Sequence, residues 1–516
     1  MTTRRRYLLA AIVGVVAAIA TLGAAEVVAL FVAPAASPLV AVGSFVIDIV
    51  PPWVKDAAIA LFGTGDKAAL LVGLGLLVLI LAALIGILEL RRPPLGTVGL
   101  MLVGLVATVS AGTRAESTIL WALPTVIGTV IGVIVLRVGL RRLRQWLEVT
   151  KPTSVAAGLS RRGFIGFTSA TAGAAVVAGV AARMVNSATT AVNAVRSAVV
   201  LPKPATAAAP LPAGASLDID GLADLVTPNS DFYRIDTAII VPRVEAADWT
   251  LRVVGEVENE VEITLDELLA LPLIETYVTL TCVSNEVGGG LIGNAKWMGY
   301  PIRDLLARAN PKAGADMVMS RSVDGFTAGT PLSVLMEEDR DSILAVSMNG
   351  EPLPLEHGFP VRMVVPGLYG YVSATKWVTE LRLTRFADET AYWTDRGWSA
   401  KGPIKLSSRI DVPSYTAIVP LEPLTVAGVA WAQHTGVKGV EVRVDKGEWM
   451  PATLATAISD DTWVQWSMPW TPTEAKVYLI ESRATDKEGF TQSSDRVQPA
   501  PDGSEGWHAI TIEARA

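Results

Sequence analysis

The pattern of apolar and polar positions changes character near residue 190. Before it, long apolar runs dominate; after it, short stretches of alternating apolar and polar residues lie among charged, Trp-bearing segments. About 20 consecutive apolar residues suffice to cross a bilayer as a helix. Four stretches reach that length, at 7–33, 68–90, 95–112 and 118–138. The segment 38–62 is apolar but broken by Asp48, Pro51-Pro52, Lys55 and Asp56. It reads as short surface helices outside the bilayer, with a re-entrant hairpin as the alternative. Arg4, Arg5 and Arg6 precede the first run, Arg91 and Arg92 follow the second, and Arg137, Arg141, Arg142 and Arg144 close the fourth. Four spans therefore put every basic cluster on the cytoplasmic side. Together, 1–148 is expected to be a transmembrane bundle.

A fifth apolar stretch, 163–185, follows Ser160-Arg161-Arg162-Gly163-Phe164-Ile165. The Arg pair alone is ordinary positive-inside bias; with the Ser before it and Phe-Ile after it, the run resembles a twin-arginine export signal. Such a signal implies a downstream domain that folds before it crosses. No small-residue cleavage site stands out, so 160–186 is expected to remain as a fifth anchor. Residues 187–215, rich in Ala and Pro, read as a linker that cannot sustain a helix. The rest of the chain is placed on the extracytoplasmic side of a bacterial cytoplasmic membrane.

Beyond the linker the pattern is mixed α+β. Trp249 to Gly255 alternates like a strand, Thr264 to Leu269 carries a capping box with Thr264 as cap and Glu267 three residues on, and Val278 to Cys282 is a strand ending at the Cys. A Gly-rich loop, Asn285 to Gly293, follows, and Ile302 to Leu306 starts another helix. From 389 to 516 short strands such as Val440–Val444 and Lys476–Ile480 alternate with turns and suit a small β-sandwich. Trp463 and Trp466 read as its core or loop cover; on an open face they would favour pairing of two copies.

Composition narrows the function. Hydrophobic residues make up 51% of 516, mean hydropathy is +0.43, and the net charge is −7 with pI about 5.3, which argues against nucleic acid as a partner. One Cys excludes an internal disulfide framework. The three His residues are His357, His434 and His508, so the helical half has no ligands for bis-His haem. Glu26 is the one acid well inside a confident span, which is little for a transport path and favours an anchoring and docking role. GxSxG, CxxC and HExxH are all absent.

Two ordered blocks carry a resemblance. The first runs from Thr281-Cys282-Val283-Ser284-Asn285 through Gly288-Gly289-Gly290 to Ala295-Lys296-Trp297. The second contains Asn349-Gly350-Glu351-Pro352-Leu353-Pro354, His357-Gly358-Phe359-Pro360-Val361-Arg362, Pro366-Gly367-Leu368-Tyr369-Gly370 and Thr375-Lys376-Trp377. Both resemble sulfite oxidase-type molybdopterin-dependent oxidoreductases, over about 217–516. The resemblance implies a molybdopterin-binding catalytic domain at 216–388 and a C-terminal immunoglobulin-like domain at 389–516 that pairs subunits in many relatives. It implies a molybdenum–molybdopterin cofactor with Cys282 as thiolate ligand, a role suited to a soft donor. His357 and Arg362 match contacts to the pterin and its phosphate, and Lys376 with Ser373 and Thr375 matches the phosphate end. Asn229, Phe232 and Tyr233 resemble the first cofactor contact, with an ordinary loop as the alternative.

The implied chemistry is two-electron oxygen-atom transfer on a small-molecule substrate. Relatives that act on sulfite carry an Arg five residues after the ligand Cys and an active-site Tyr; these positions here are Val287 and Phe326. Arg234 is the candidate to replace the missing charge. Three readings follow: a reductase of a neutral sulfoxide or N-oxide, a sulfite dehydrogenase, and a metal-free membrane-tethered binding protein. No haem is expected in this chain, so electrons pass through a separate redox partner. Membrane lipid and a homodimer through the C-terminal domain complete the expected partners.

Overall fold

A computed structural model describes residues 2–51, 54, 61, 66–114, 117–148, 155–187, 196 and 199–516. Much of the segment 50–62, and residues 188–195, 197 and 198 of the expected linker, lie outside the described residues. The chain forms two compact units: Met1–Ala191 with Ala238–Val241, and Val192–Thr237 with Pro242–Ala516.

The first unit is helical: α1 (Thr3–Val32), α2 (Pro38–Ile49), α3 (Asp66–Arg91), α4 (Leu95–Gly112), α5 (Ala122–Glu148) and α6 (Val155–Ser187). Among the described residues five helices are long and apolar enough to cross a membrane, Thr3–Val32, Ala68–Arg91, Leu95–Gly112, Ile119–Glu148 and Arg161–Ala182. At 12 residues, about 18 Å, α2 is too short to span. The fourth apolar run continues as helix ten residues past 138, because Leu136, Leu140 and Leu143 keep one face buried among the basic residues. Small residues govern packing. A side chain at Gly14 or Gly86 would strike the backbone of α3 or α1, so these helices meet through their main chains. The buried carboxylate of Glu26 accepts a hydrogen bond from Ser37 Oγ at 2.7 Å. Glu89 caps the start of α4 by accepting from Thr97 N, also at 2.7 Å.

The second unit begins with β1 (Thr250–Gly255), β2 (Val261–Thr264), α7 (Leu265–Leu269), β3 (Ile274–Thr281), β4 (Ile292–Pro301), α8 (Ile302–Ala309), β5 (Met317–Ser322), β6 (Thr327–Pro331), α9 (Leu332–Met336), β7 (Ile343–Met348), β8 (Glu351–Pro352), β9 (Arg362–Val364) and β10 (Val378–Thr384). One sheet has the order β2-β1-β10-β5-β6; the other runs β3-β4-β7-β8, with β9 also on β7. The capping box at Thr264 and Glu267 forms in both directions. A core that includes Leu251, Val253, Leu305, Leu306, Leu344 and Leu381 fills the domain. Three fully buried Trp side chains each place their indole N–H on a carbonyl: Trp249 on Val378, Trp297 on Val278 and Trp377 on Leu355.

The C-terminal region adds β11 (Ser407–Val412), β12 (Ile418–Pro420), β13 (Leu424–Trp431), β14 (Val437–Val444), β15 (Met450–Pro451), β16 (Thr453–Leu454), β17 (Val464–Trp470), β18 (Val477–Asp486) and β19 (His508–Arg515). They form two sheets, β11-β13-β17-β16 and β12-β19-β18-β14-β15. Alternate residues of both, among them Val426, Val442, Trp466, Ile480 and Ile512, make the shared core. Trp463 and Trp466 are both buried, so neither offers an open face for pairing. The segment 199–237 lies along this unit: Ala205 N donates to Leu273 O at 2.7 Å, Leu217 N to Gln465 at 2.7 Å and Ala223 N to Asp411 at 3.2 Å.

Candidate active site

Strand β3 pairs antiparallel with β4, Thr279 opposite Asn294 and Thr281 opposite Ile292, and Cys282 is the first residue past the ladder. Its N–H still donates to Leu291 O at 2.9 Å, so the loop 283–290 closes directly behind it. Asn285 holds that loop: its N–H donates to Cys282 O at 3.0 Å and its Oδ1 accepts from Leu291 N at 2.8 Å. Gly288, at φ +81°, lies against the His508 ring, where a side chain would collide. The C-terminal region steadies the loop from the other side. Arg409 Nη1 donates to Gly289 O at 3.0 Å and Ser504 Oγ to Asn285 O at 2.6 Å. Cys282 is buried and unpaired with any other Cys. Burial pushes its thiol up, opposed by hydrogen bonds from Ser284 and by the charge of Lys376.

Around Cys282 the expected residues converge. Phe232 stacks on Tyr233 with ring centres 5.3 Å apart, and meets Trp297 and His357 edge-on at 5.7 and 5.6 Å. Gly293 is glycine because the Phe232 ring would lie 2.7 Å from a β-carbon there. Arg362 sits with its guanidinium over the Trp297 ring at 5.1 Å. Its nitrogens donate to carbonyl oxygens of His357 (3.2 Å), Met363 (3.3 Å) and Ala374 (3.4 Å). Burial lowers its pKa to about 10. Tyr233 is raised by burial first and then by the Cys282 charge.

His357 Nε2 stands 3.1 Å from Asn229 O. A carbonyl only accepts, so Nε2 carries the proton and Nδ1 is the bare nitrogen, which finds no partner. Burial, then Lys376 and Arg362, hold the ring neutral with a pKa of about 3. Lys376 Nζ donates to Asp236 Oδ2 at 3.0 Å and to Glu356 O at 2.9 Å. Burial lowers it to about 8, with Asp236 opposing.

Other expected residues are occupied by the fold itself. Asn229 Oδ1 accepts from Asn349 at 2.9 Å, Ser373 Oγ donates to Leu368 O and Tyr369 O, and Thr375 shares a 2.7 Å hydrogen bond with Ser320. Arg234 Nε donates to Asp236 Oδ2 at 2.9 Å, so the cation expected to compensate for Val287 is already paired. Asp236 is the residue that sequence reasoning missed. It takes both Arg234 and Lys376, and its signal was an acid two residues after Arg234. Phe326 packs beside Tyr392, with ring centres 5.8 Å apart.

The donor set fits a pterin–metal group with a phosphate tail. A soft thiol donor, a bare imidazole nitrogen and two buried cations face one buried acid, Asp236, among the residues just described. His508, beside the loop, is likewise held neutral, by burial and then Arg409, at a pKa of about 4. Its Nδ1 accepts from Ile410 N at 2.9 Å. The unfolded chain takes up this proton below about pH 6.5, whereas the folded chain resists until about 4, so stability drains away across that window. His508→Gln is expected to flatten the decline by up to about 1.4 kcal/mol per pH unit. Denaturant midpoints from Trp fluorescence of the detergent-solubilised chain, measured at each pH, check this.

A buried thiol, a bare imidazole and buried cations are the donors that a pterin–metal oxidoreductase would use. The sequence pattern of the oxidoreductase molybdopterin-binding domain matches residues 238–393. The chain is 30% identical to sulfite oxidase of Gallus gallus over 323 residues, covering 53% of this chain and 68% of that one. It is 28% identical to mitochondrial sulfite oxidase of Mus musculus over 339 residues, 56% of this chain and 61% of the relative. With NAD(P)H nitrate reductase of Hordeum vulgare it shares 29% over 261 residues, 40% and 29% of the two chains. The sulfane dehydrogenase SoxCD of Paracoccus pantotrophus has the same fold over 56% of this chain and 81% of its own, with TM-score 0.50 and 23% identity. The chain thus belongs to the sulfite oxidase-type molybdopterin-dependent oxidoreductases and is an enzyme of that family. It spans about six tenths of the length of the mammalian relatives it matches.

Proposed function

We propose that Cys282 is the protein thiolate on molybdenum and that Arg362, Lys376 and His357 hold the pterin and its phosphate, with Phe232, Tyr233 and Asn229 forming the adjoining wall. When bound, the cofactor supplies two-electron oxygen-atom transfer. The chain keeps water from the thiolate by burial, keeps His357 neutral and binds the phosphate with buried cations. Ser373 and Thr375 line the phosphate end without offering their hydroxyls, which are spent inside the fold.

The favoured substrate is a neutral sulfoxide or N-oxide. One observation carries this: Val287 and Phe326 stand where sulfite-acting relatives carry Arg and Tyr, and Arg234 is engaged by Asp236 at 2.9 Å. A dianion entering such a site would be desolvated without a free guanidinium to receive it. The reaction consumes two electrons and two protons, breaks the S–O or N–O bond and releases water. The electrons come from a separate donor. The relatives named sulfite oxidase favour the opposite direction on sulfite as the second reading.

The five apolar helices, with basic residues at alternate ends, support a bundle at 1–148 and a further anchor at 160–186 behind the twin-arginine motif, with the catalytic domain outside the cytoplasm. The two-sheet region supports an immunoglobulin-like assignment for 389–516; pairing of two copies there rests on the resemblance alone.

Purified holoenzyme, given a sulfoxide with a reduced viologen or sulfite with an oxidant, is expected to favour sulfoxide reduction in kcat/KM. Val287→Arg is expected to shift the ratio toward sulfite by about tenfold or more. Faster sulfite oxidation in the unaltered enzyme would overturn the neutral-substrate reading.

A further inference from the structure

We propose that Glu337, Asp339 and His434 form a second metal site, for a divalent cation of the zinc type, that fastens the loop after α9 to the turn after β13. Glu337 and Asp339 leave the end of α9, while His434 comes from the C-terminal sheets nearly a hundred residues later. One ligand atom from each lies within 4.8 Å of the others. His434 Nε2 is 3.8 Å from Glu337 Oε2. A tetrahedral zinc site with bonds near 2.0–2.1 Å sets neighbouring ligands about 3.4 Å apart. Small rotamer adjustments close the remaining gap.

The imidazole is prepared as a ligand. His434 Nδ1 stands 3.0 Å from Asp461 Oδ1. A carboxylate accepts, so the proton sits on Nδ1 and the Nε2 lone pair is left on the side of Glu337. A carboxylate behind a histidine orients metal-binding imidazoles and raises their basicity. The turn is held too, with His434 N donating to Asp460 O at 2.8 Å. Arg340 occupies one oxygen of Glu337 at 2.6 Å and donates to Pro366 O at 2.6 Å. That Glu337 oxygen, Oε2, is also the one nearest His434, so a cation binds this carboxylate beside the guanidinium, at the second lone pair of Oε2 or at Oε1. Asp341 adds negative charge near Asp461, and the Arg340 guanidinium acts on both Asp461 and Glu337. Three protein ligands leave a position for water.

The site lies behind the catalytic pocket. A β-carbon at Gly367 would be 2.6 Å from Arg340 and 3.1 Å from His434. Gln433, the neighbour of His434, donates to Thr281 Oγ1 at 3.0 Å, one residue from Cys282. A bound cation would thus brace the Pro366-Gly367 turn and the end of β3 against the C-terminal sheets without touching substrate.

The test is titration of chelator-treated, full-length detergent-solubilised protein with cobalt(II), then zinc(II), followed by absorbance and thermal unfolding. One cobalt should bind saturably with the weak visible bands of nitrogen and oxygen ligands, lacking the intense thiolate charge-transfer band that binding at Cys282 would produce. Zinc should displace it and raise the unfolding temperature. His434→Ala and the exposed, conservative Asp339→Asn should each weaken binding by about tenfold or more. Circular dichroism checks that both variants fold. No saturable binding, binding with a thiolate band alone, or equal affinity in both folded variants would overturn the proposal.

Discussion

Cys282→Ser is expected to abolish oxygen-atom transfer while leaving the fold in place. The substitution keeps size, burial and the hydrogen bonds offered by Ser284, and removes only the donor that becomes a soft anion on binding metal. In the metal-free chain burial holds this thiol protonated, so it is a poor nucleophile by itself; coordination is what would deprotonate it. Loss of an outer-shell partner of a metal site costs 10- to 100-fold, so loss of a ligand should cost more than about 100-fold in kcat. The proposed pterin contacts at Arg362, Lys376 and His357 are untouched. The variant should therefore retain much of its cofactor and show an altered molybdenum spectrum, with an unfolding temperature close to the parent's. Full activity in Cys282→Ser would remove Cys282 from the metal.

Much of this was legible in the sequence because the signals are local. Helices announce themselves by runs of about 20 apolar residues, and α1, α3, α4 and α5 begin within a few residues of the expected positions. The capping box at Thr264 and the strand leading to Cys282 depend on neighbours a few residues away. The Cys282 loop is likewise contiguous, from Thr281 to Trp297. What escaped depends on pairs distant along the chain. Lys376 meets Asp236 across 140 residues, on the same carboxylate oxygen that Arg234 reaches, so one acid is shared by two cations. Ser373 and Thr375 carry the right residue types, but their hydroxyls serve Leu368, Tyr369 and Ser320. The Glu337, Asp339 and His434 cluster spans two sheet systems and matches no short motif, so a search for CxxC or HExxH passes over it.

Arg362→Met is expected to strip the cofactor from a protein that otherwise folds. Arg362 is 4% exposed, and its hydrogen-bond partners are three carbonyl oxygens at 3.2–3.4 Å. Those dipoles compensate a buried cation poorly, and its lowered pKa, about 10, follows from burial. An apolar residue of similar length often replaces a buried charge at little cost, and the carbonyls lose only long hydrogen bonds. Stability without cofactor should therefore change by no more than about 2 kcal/mol. Binding should change far more. Two charge-assisted hydrogen bonds to a phosphate contribute about 1.5–3 kcal/mol each, so losing both weakens binding by about 100-fold or more. Molybdenum per chain, measured by elemental analysis, should fall well below that of the parent, with unfolding temperatures compared after both proteins are stripped of cofactor. Arg362→Lys should recover part of the loss, since a point charge replaces the planar fork without its bidentate geometry. A variant that keeps its molybdenum yet unfolds readily would show that Arg362 serves the β9 strand and its carbonyl partners instead of the phosphate.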